Sequence, residues 1–214
     1  MKLLNITAWY QKKPVIKHFT FDINPGEWIF LTGPSGSGKS TFLQTLFGGL
    51  PPIQGSLIDD SLRDIYSLSP SNLRAYRRTC GMIFQDHKLI EYKTVTENIA
   101  YAMEMCSYGK TMIKKRVPEL LHYVWLEHKK DAFPKHLSGW EAQRVAIARA
   151  LIHSPKMILA DEPTGNLDHA NTIKIMELLK TIHAQGTTIV FATHDLTLIK
   201  LVPGAKVLDI KTLA

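Results

Sequence analysis

Gly33-Pro34-Ser35-Gly36-Ser37-Gly38-Lys39-Ser40 (GPSGSGKS) is the stretch on which the fold turns. It satisfies G-x-x-x-x-G-K-S throughout. It follows the apolar run at 28–32 and precedes a helical pattern that starts at Ser40. Strand, glycine-rich loop, then helix is the context in which this pattern binds phosphate. The glycines let successive backbone N–H groups turn inward around anionic oxygens, and the helix start adds the positive end of its dipole. Gly33, Pro34, Ser35, Gly36, Ser37, Gly38 and Thr41 are therefore expected around the phosphates of a nucleotide. Lys39 is expected on the β- and γ-phosphates, and the Ser40 hydroxyl on Mg²⁺.

Two more apolar runs stop at residues that carry chemistry. The run at 156–160 ends at Asp161-Glu162, and the run at 187–193 ends at His194. Such unbroken runs suit strands buried on both faces of a parallel sheet. Ligand groups collect at the carboxyl ends of those strands. Asp161 is then expected to face Mg²⁺, and Glu162 to accept a proton from an attacking water. His194 is expected to hydrogen-bond a γ-phosphate or that water. Gln85, after the segment 81–84, is a metal or water contact if it sits across from Lys39.

Helical patterns cover 40–47, 95–105, 112–124 (interrupted by Pro118), 141–152 and 170–184. Residues 3–23 alternate like an antiparallel strand pair around Gln11-Lys12-Lys13-Pro14. The expected fold is α/β: a P-loop NTPase core with a mainly parallel sheet, flanking helices and an N-terminal antiparallel β part. A helical subdomain is inserted in it. All 214 residues form one domain, with the core at 1–85 and about 154–214 and the insertion at about 86–153.

Bulk properties exclude several classes. Hydrophobic content of 45% and charged content of 21% fit an ordinary globular protein. No apolar run reaches the ~18 residues of a membrane span. The start has no long apolar stretch, so no signal peptide is expected. Cys80 and Cys106 have no paired spacing, which argues against a disulfide framework or a zinc site. The net charge of +7 points to an anionic partner. Phosphate ligands and an anionic membrane surface rank above nucleic acid, because no basic tail exists and aromatics do not interleave with the basic clusters.

Together these motifs resemble the ATP-binding-cassette (ABC) family of nucleotide-binding subunits over nearly the whole chain. Residues 33–40 resemble its Walker A motif, Gln85 its Q-loop glutamine, and Asp161 and Glu162 its Walker B pair. Leu137-Ser138-Gly139 with Gln143-Arg144 is similar to the family's signature. Residues 165–168, ending at Asp168, resemble its D-loop, and His194 its switch histidine. Tyr10 is at the spacing of the adenine-stacking aromatic, with Trp9 as its rival. The resemblance implies ATP and Mg²⁺ as cofactors and a Mg-dependent ATPase. It implies a homodimer that sandwiches ATP, with Ser138, Gly139 and Asp168 contacting nucleotide across the interface. It further implies an integral membrane partner on another polypeptide and a place on the cytoplasmic face of the cell membrane.

Within the family, residues 161–168 and 192–195 resemble the group that contains MacB, LolD and the cell-division ATPase FtsE, and residues 82–87 resemble the last most. That implies an FtsX-like membrane partner in cell division. The alternative is the permease of a lipoprotein, peptide or drug exporter. A soluble nucleic-acid or ribosome factor ranks lower, since the chain has one cassette and no room for a long arm. The signature-like and D-loop-like stretches oppose a small-molecule kinase.

Two positions depart from the family's signature. Trp140 stands where a glycine is usual, and Ala142 where a glutamine is usual. Ser138 and Glu141 have the spacing of a capping box. A large indole at a closed interface should clash unless it turns away. The expectation is that Trp140 weakens closure, which makes turnover low or dependent on the partner, and that Trp140→Gly raises ATPase activity or ATP-dependent dimerisation.

Overall fold

In the computed structural model, residues 1–10 and 13–213 are described, without the side chains of residues 9, 10, 13–15, 212 and 213. The alternating N-terminal segment forms two antiparallel strands, β1 (Lys2–Tyr10) and β2 (Lys13–Asp22). The turn expected at Gln11 and Lys12 lies outside the described residues. β3 (Trp28–Thr32) follows, buried at every position, and leads through the glycine-rich loop to α1 (Lys39–Leu46). β4 (Gln54–Ile58) then pairs antiparallel with β1 and completes a three-stranded sheet. This strand is not legible in the sequence, because its glycine and polar residues break the apolar pattern.

Next come α2 (Pro70–Arg77) and β5 (Cys80–Ile83). Three helices follow with no strand among them: α3 (Val95–Glu104), α4 (Lys110–Tyr123) and α5 (Gly139–Ala150). The chain returns through β6 (Met157–Asp161), α6 (His169–Ala184), β7 (Thr188–Thr193) and β8 (Lys206–Asp209).

The second sheet has the order β5-β6-β7-β3-β8, and every neighbouring pair is parallel. Its register explains the apolar runs. Trp28 pairs with Ile189 and Phe30 with Phe191, and these side chains join a core shared with α3, α4, α5 and α6. The intervening residues, Ile29 with Val190 and Leu31 with Ala192, enter a second core with α1 and the antiparallel sheet. Both faces are covered, so alternate side chains are all apolar.

One helix differs from expectation. Pro118 does not interrupt α4, which is continuous from Lys110 to Tyr123. Proline removes the hydrogen bond to the carbonyl four residues back. Burial of Val117, Leu120 and Leu121 on either side holds the helix together across that gap. α5 lacks a single apolar stripe, since Glu141, Gln143 and Arg144 are buried along with Val145, Ala146, Ile147 and Ala148.

Candidate functional site

The carboxyl ends of β3, β6 and β7 lie side by side, with Thr32 paired to Thr193 and Asp161 to Ala192. The residues that follow each strand meet there. The loop after β3 is shaped by backbone that only glycine adopts freely: Gly33, Gly36 and Gly38 have φ of 146°, 77° and 104°. A Cβ on Gly33 would approach Ile210 Cγ2 at 2.4 Å and Ser37 Oγ at 2.8 Å. Thr41 is buried behind the loop in α1. Ser37 Oγ is buried with no hydrogen-bond partner among the described residues, which fits a loop made to receive an external acceptor such as phosphate.

Lys39 is buried, and its Nζ donates to the carbonyls of Gly33 (2.8 Å) and Pro34 (3.1 Å). The same ammonium lies 3.2 Å from Glu162 Oε1. Glu162 Oε2 is 2.7 Å from Nδ1 of His194, whose side chain is half exposed. Lys39, Glu162 and His194 therefore form a continuous polar chain from the loop floor to solvent. The Glu162 backbone is left-handed at φ 48°, and its N–H donates to the Ala192 carbonyl. That turn separates its side chain from that of Asp161, the residue before it. Asp161 has the Ser40 hydroxyl as a polar neighbour. Burial raises its pKa, and the Glu162 charge adds to the rise against the opposing effects of Ser40 and Lys39.

Ser40 and Asp161 offer adjacent oxygen donors beside a phosphate loop. That donor set suits Mg²⁺, a hard cation that takes few protein ligands and the rest from phosphate and water. Two carboxylates in a dry site also gain from a cation, as the raised Asp161 pKa indicates.

Other expected residues lie apart from this chain of contacts. Gln85 is exposed, two residues beyond the edge strand β5, and takes no part in the bonds that join Lys39, Glu162 and His194. Asp168 caps α6 by accepting from Asn171 N (2.8 Å) and Nδ2 (2.7 Å). The side chain of Tyr10, like that of its rival Trp9, lies outside the described residues. Ser138 and Gly139 are exposed at the start of α5. The capping box forms, with Glu141 Oε2 accepting from both the backbone N–H and the hydroxyl of Ser138 at 2.8 Å. Burial alone would raise the Glu141 pKa, but the Ser138 bonds and Lys129 outweigh it and hold the carboxyl below its ordinary range. A Cβ on Gly139 would touch Leu167 at 3.7 Å, an ordinary contact distance.

The indole of Trp140 packs within the chain. Its ring centre is 4.3 Å from Arg144 Cζ and 5.3 Å from Lys174 Nζ. One further contact set was missed in the sequence: Arg149 donates to the carbonyls of Lys88 (2.6 Å) and His87 (2.5 Å), just after Gln85. An arginine inside the apolar pattern of α5 was the available signal.

The ABC transporter family pattern matches residues 16–165, more than half of the chain and including the loop, Gln85, the start of α5 and Glu162. The chain belongs to the ABC transporter family. As a cassette of this family it is an α/β ATPase domain. It is 46% identical over 180 residues to the cell division ATP-binding protein FtsE of Streptococcus pneumoniae, covering 84% of this chain and 78% of that one. It is 40% identical to the methionine import ATP-binding protein MetN of Clostridioides difficile, covering 95% of this chain and 64% of that one. Among solved structures, the dimeric bacterial ABC transporter cassette MJ0796 superposes with a TM-score of 0.85 at 35% identity, covering 98% of this chain and 94% of that one. The post-hydrolysis dimer of MJ0796 bound to ADP and Pi gives 0.82 at 36% identity, covering 92% and 89%.

Proposed function

We propose that this chain is the ATP-binding and hydrolysing subunit of a membrane-associated complex in cell division, working as an FtsE-like homodimer with an FtsX-like integral membrane protein. The observation that carries the ATPase chemistry is the Lys39–Glu162–His194 chain at the mouth of the phosphate loop. The similarity to FtsE proteins supports the cell-division assignment.

Glu162 is the general base. His194 fixes one of its oxygens and Lys39 holds the other. Phosphate entering the loop draws Lys39 away from the Gly33 and Pro34 carbonyls and releases Glu162 Oε1 toward the attacking water. Ser37, Thr41 and the loop amides of Gly33 to Ser40 hold the phosphates. Ser40, Asp161 and Gln85 hold Mg²⁺, which neutralises charge on the phosphates when bound. Tyr10 stacks on adenine. Ser138, Gly139 and Asp168 complete the site of the other subunit. Residues 86–153 act as the helical subdomain that receives the membrane partner on the cytoplasmic face, and the anionic membrane surface attracts the chain's positive charge.

Lys39→Ala is expected to lose nucleotide binding; unchanged ATP affinity in a titration would overturn the loop assignment. Glu162→Gln is expected to bind ATP, lose most turnover and accumulate as a closed dimer on gel filtration. Full turnover in that variant would remove Glu162 as the base. Depletion of the chain in cells is expected to give filaments, and in undepleted cells the chain is expected to co-purify with an integral membrane protein. A transport defect without filamentation would favour the alternative, the permease of a lipoprotein, peptide or drug exporter.

A further inference from the structure

Among the described residues no acid is clasped to Arg144, a buried cation. It is 6% exposed, and its Nε has no hydrogen-bond partner. Its guanidinium carbon lies 4.3 Å from the Trp140 ring centre and 5.0 Å from that of Trp125. Two indoles thus replace the water that a guanidinium would normally keep, and aromatic faces attract a desolvated cation strongly. Lys174 Nζ lies against the same Trp140 ring. Trp125 follows α4 with a left-handed backbone at φ 55°. Trp140 and Arg144 belong to α5 and Lys174 to α6. The stack therefore fastens three helices at the point where Ser138 and Gly139 stand open.

We propose that Trp140 is a positioning residue that fixes the first turn of α5 before a second subunit arrives, so that Ser138 and the N–H groups of that turn face the partner's ATP in one arrangement. The proposal rests on the reading of Ser138 and Gly139 as contacts across an ATP-bound dimer. A glycine at 140 would leave two adjacent glycines in this turn, each loosening a helix by about 1 kcal/mol relative to alanine. The indole removes that freedom and supplies the face on which Arg144 and Lys174 rest. Ordering that is completed before association is not subtracted from the affinity. The expected sign is thus opposite to the clash inferred from the sequence: the ring is occupied inside the chain, and Ser138 and Gly139 are left exposed.

The test uses the Glu162→Gln protein, with the ATP concentration for half-maximal dimerisation as the readout. Adding Trp140→Leu is expected to raise that concentration roughly ten-fold, the span of a desolvated cation–aromatic contact. Trp140→Phe, which keeps an aromatic face, is expected to recover most of the loss. ATP binding by the monomer is expected to stay unchanged in both, since the phosphate loop is on other elements. Lys174→Met, a surface change, is expected to raise the concentration a few-fold when Trp140 is present and not at all when it is combined with Trp140→Leu. Dimerisation of Trp140→Leu and Trp140→Gly at the parent's ATP concentration, or below it, would overturn the proposal. So would equal losses in the Leu and Phe variants. Failure of the Glu162→Gln parent to dimerise at saturating ATP would instead overturn the dimer reading on which it rests.

Discussion

At position 162 the backbone is left-handed although glutamate carries a Cβ. Such a conformation costs of order 1–3 kcal/mol and persists where the surroundings over-determine it. Here the Glu162 N–H is held by the Ala192 carbonyl, and its carboxylate by Lys39 and His194. The strain lets two successive residues at one strand end face different groups: Asp161 toward Ser40, Glu162 toward Lys39. Glu162→Gly and Glu162→Ala are both expected to lose most turnover. In urea unfolding the glycine variant is expected to be the more stable of the two by about 1 kcal/mol, because only alanine retains the left-handed penalty. Lys39, Glu162 and His194 were legible in the sequence because each directly follows a strong local pattern. Their mutual contacts were not, since the three are distant in sequence and meet only through strand register.

Among elements, α5 combines a capping box, buried polar side chains and a cation–aromatic stack. Its start is closed by Ser138 and Glu141, a pairing readable from spacing alone. The carboxyl of Glu141 is held below its ordinary range, so its contribution to stability is present above the ordinary glutamate value of 4.5 and is lost as pH falls through the lowered folded-state value. Glu141→Gln is expected to destabilise the protein by about 1 kcal/mol at neutral pH, as a lost charge-assisted cap does. Thermal melts across pH should show the difference from the parent shrinking below 4.5. The burial of Gln143 and Arg144 was not legible, because a charged residue in a helix reads as a solvated face until its neighbours are known. Pro118 illustrates the same limit in α4: a local helix breaker is overridden by the apolar residues beside it.

For the whole molecule, the parallel sheet and the helices after Gln85 are joined by close contacts at α5. A Cβ on Gly81 of β5 would approach the Ala150 carbonyl at 2.5 Å, so helix and strand meet backbone to backbone. Next to it in the chain, Arg149 binds the carbonyls of His87 and Lys88, both in left-handed backbone. Arg149→Leu is expected to leave those carbonyls without their donor and to lower stability by about 1–3 kcal/mol. Limited proteolysis should then cut faster after Gln85, while ATP binding by the loop at 33–40 is retained. Unaltered proteolysis would mean that other contacts hold this segment.

The sequence by itself determined the phosphate loop, the acidic strand end, the buried parallel strands and the α/β class. Each depends on residues adjacent in the chain, whose backbone needs and apolar periods act locally. Only the tertiary structure decided that Lys39 rests on Glu162, that β4 and β8 complete the two sheets, and that the Trp140 ring lies against Arg144 and Lys174. Those outcomes depend on which distant groups share a site after packing. An indole that reads as an obstruction in a helix start becomes a support once a cation on a neighbouring helix reaches its face.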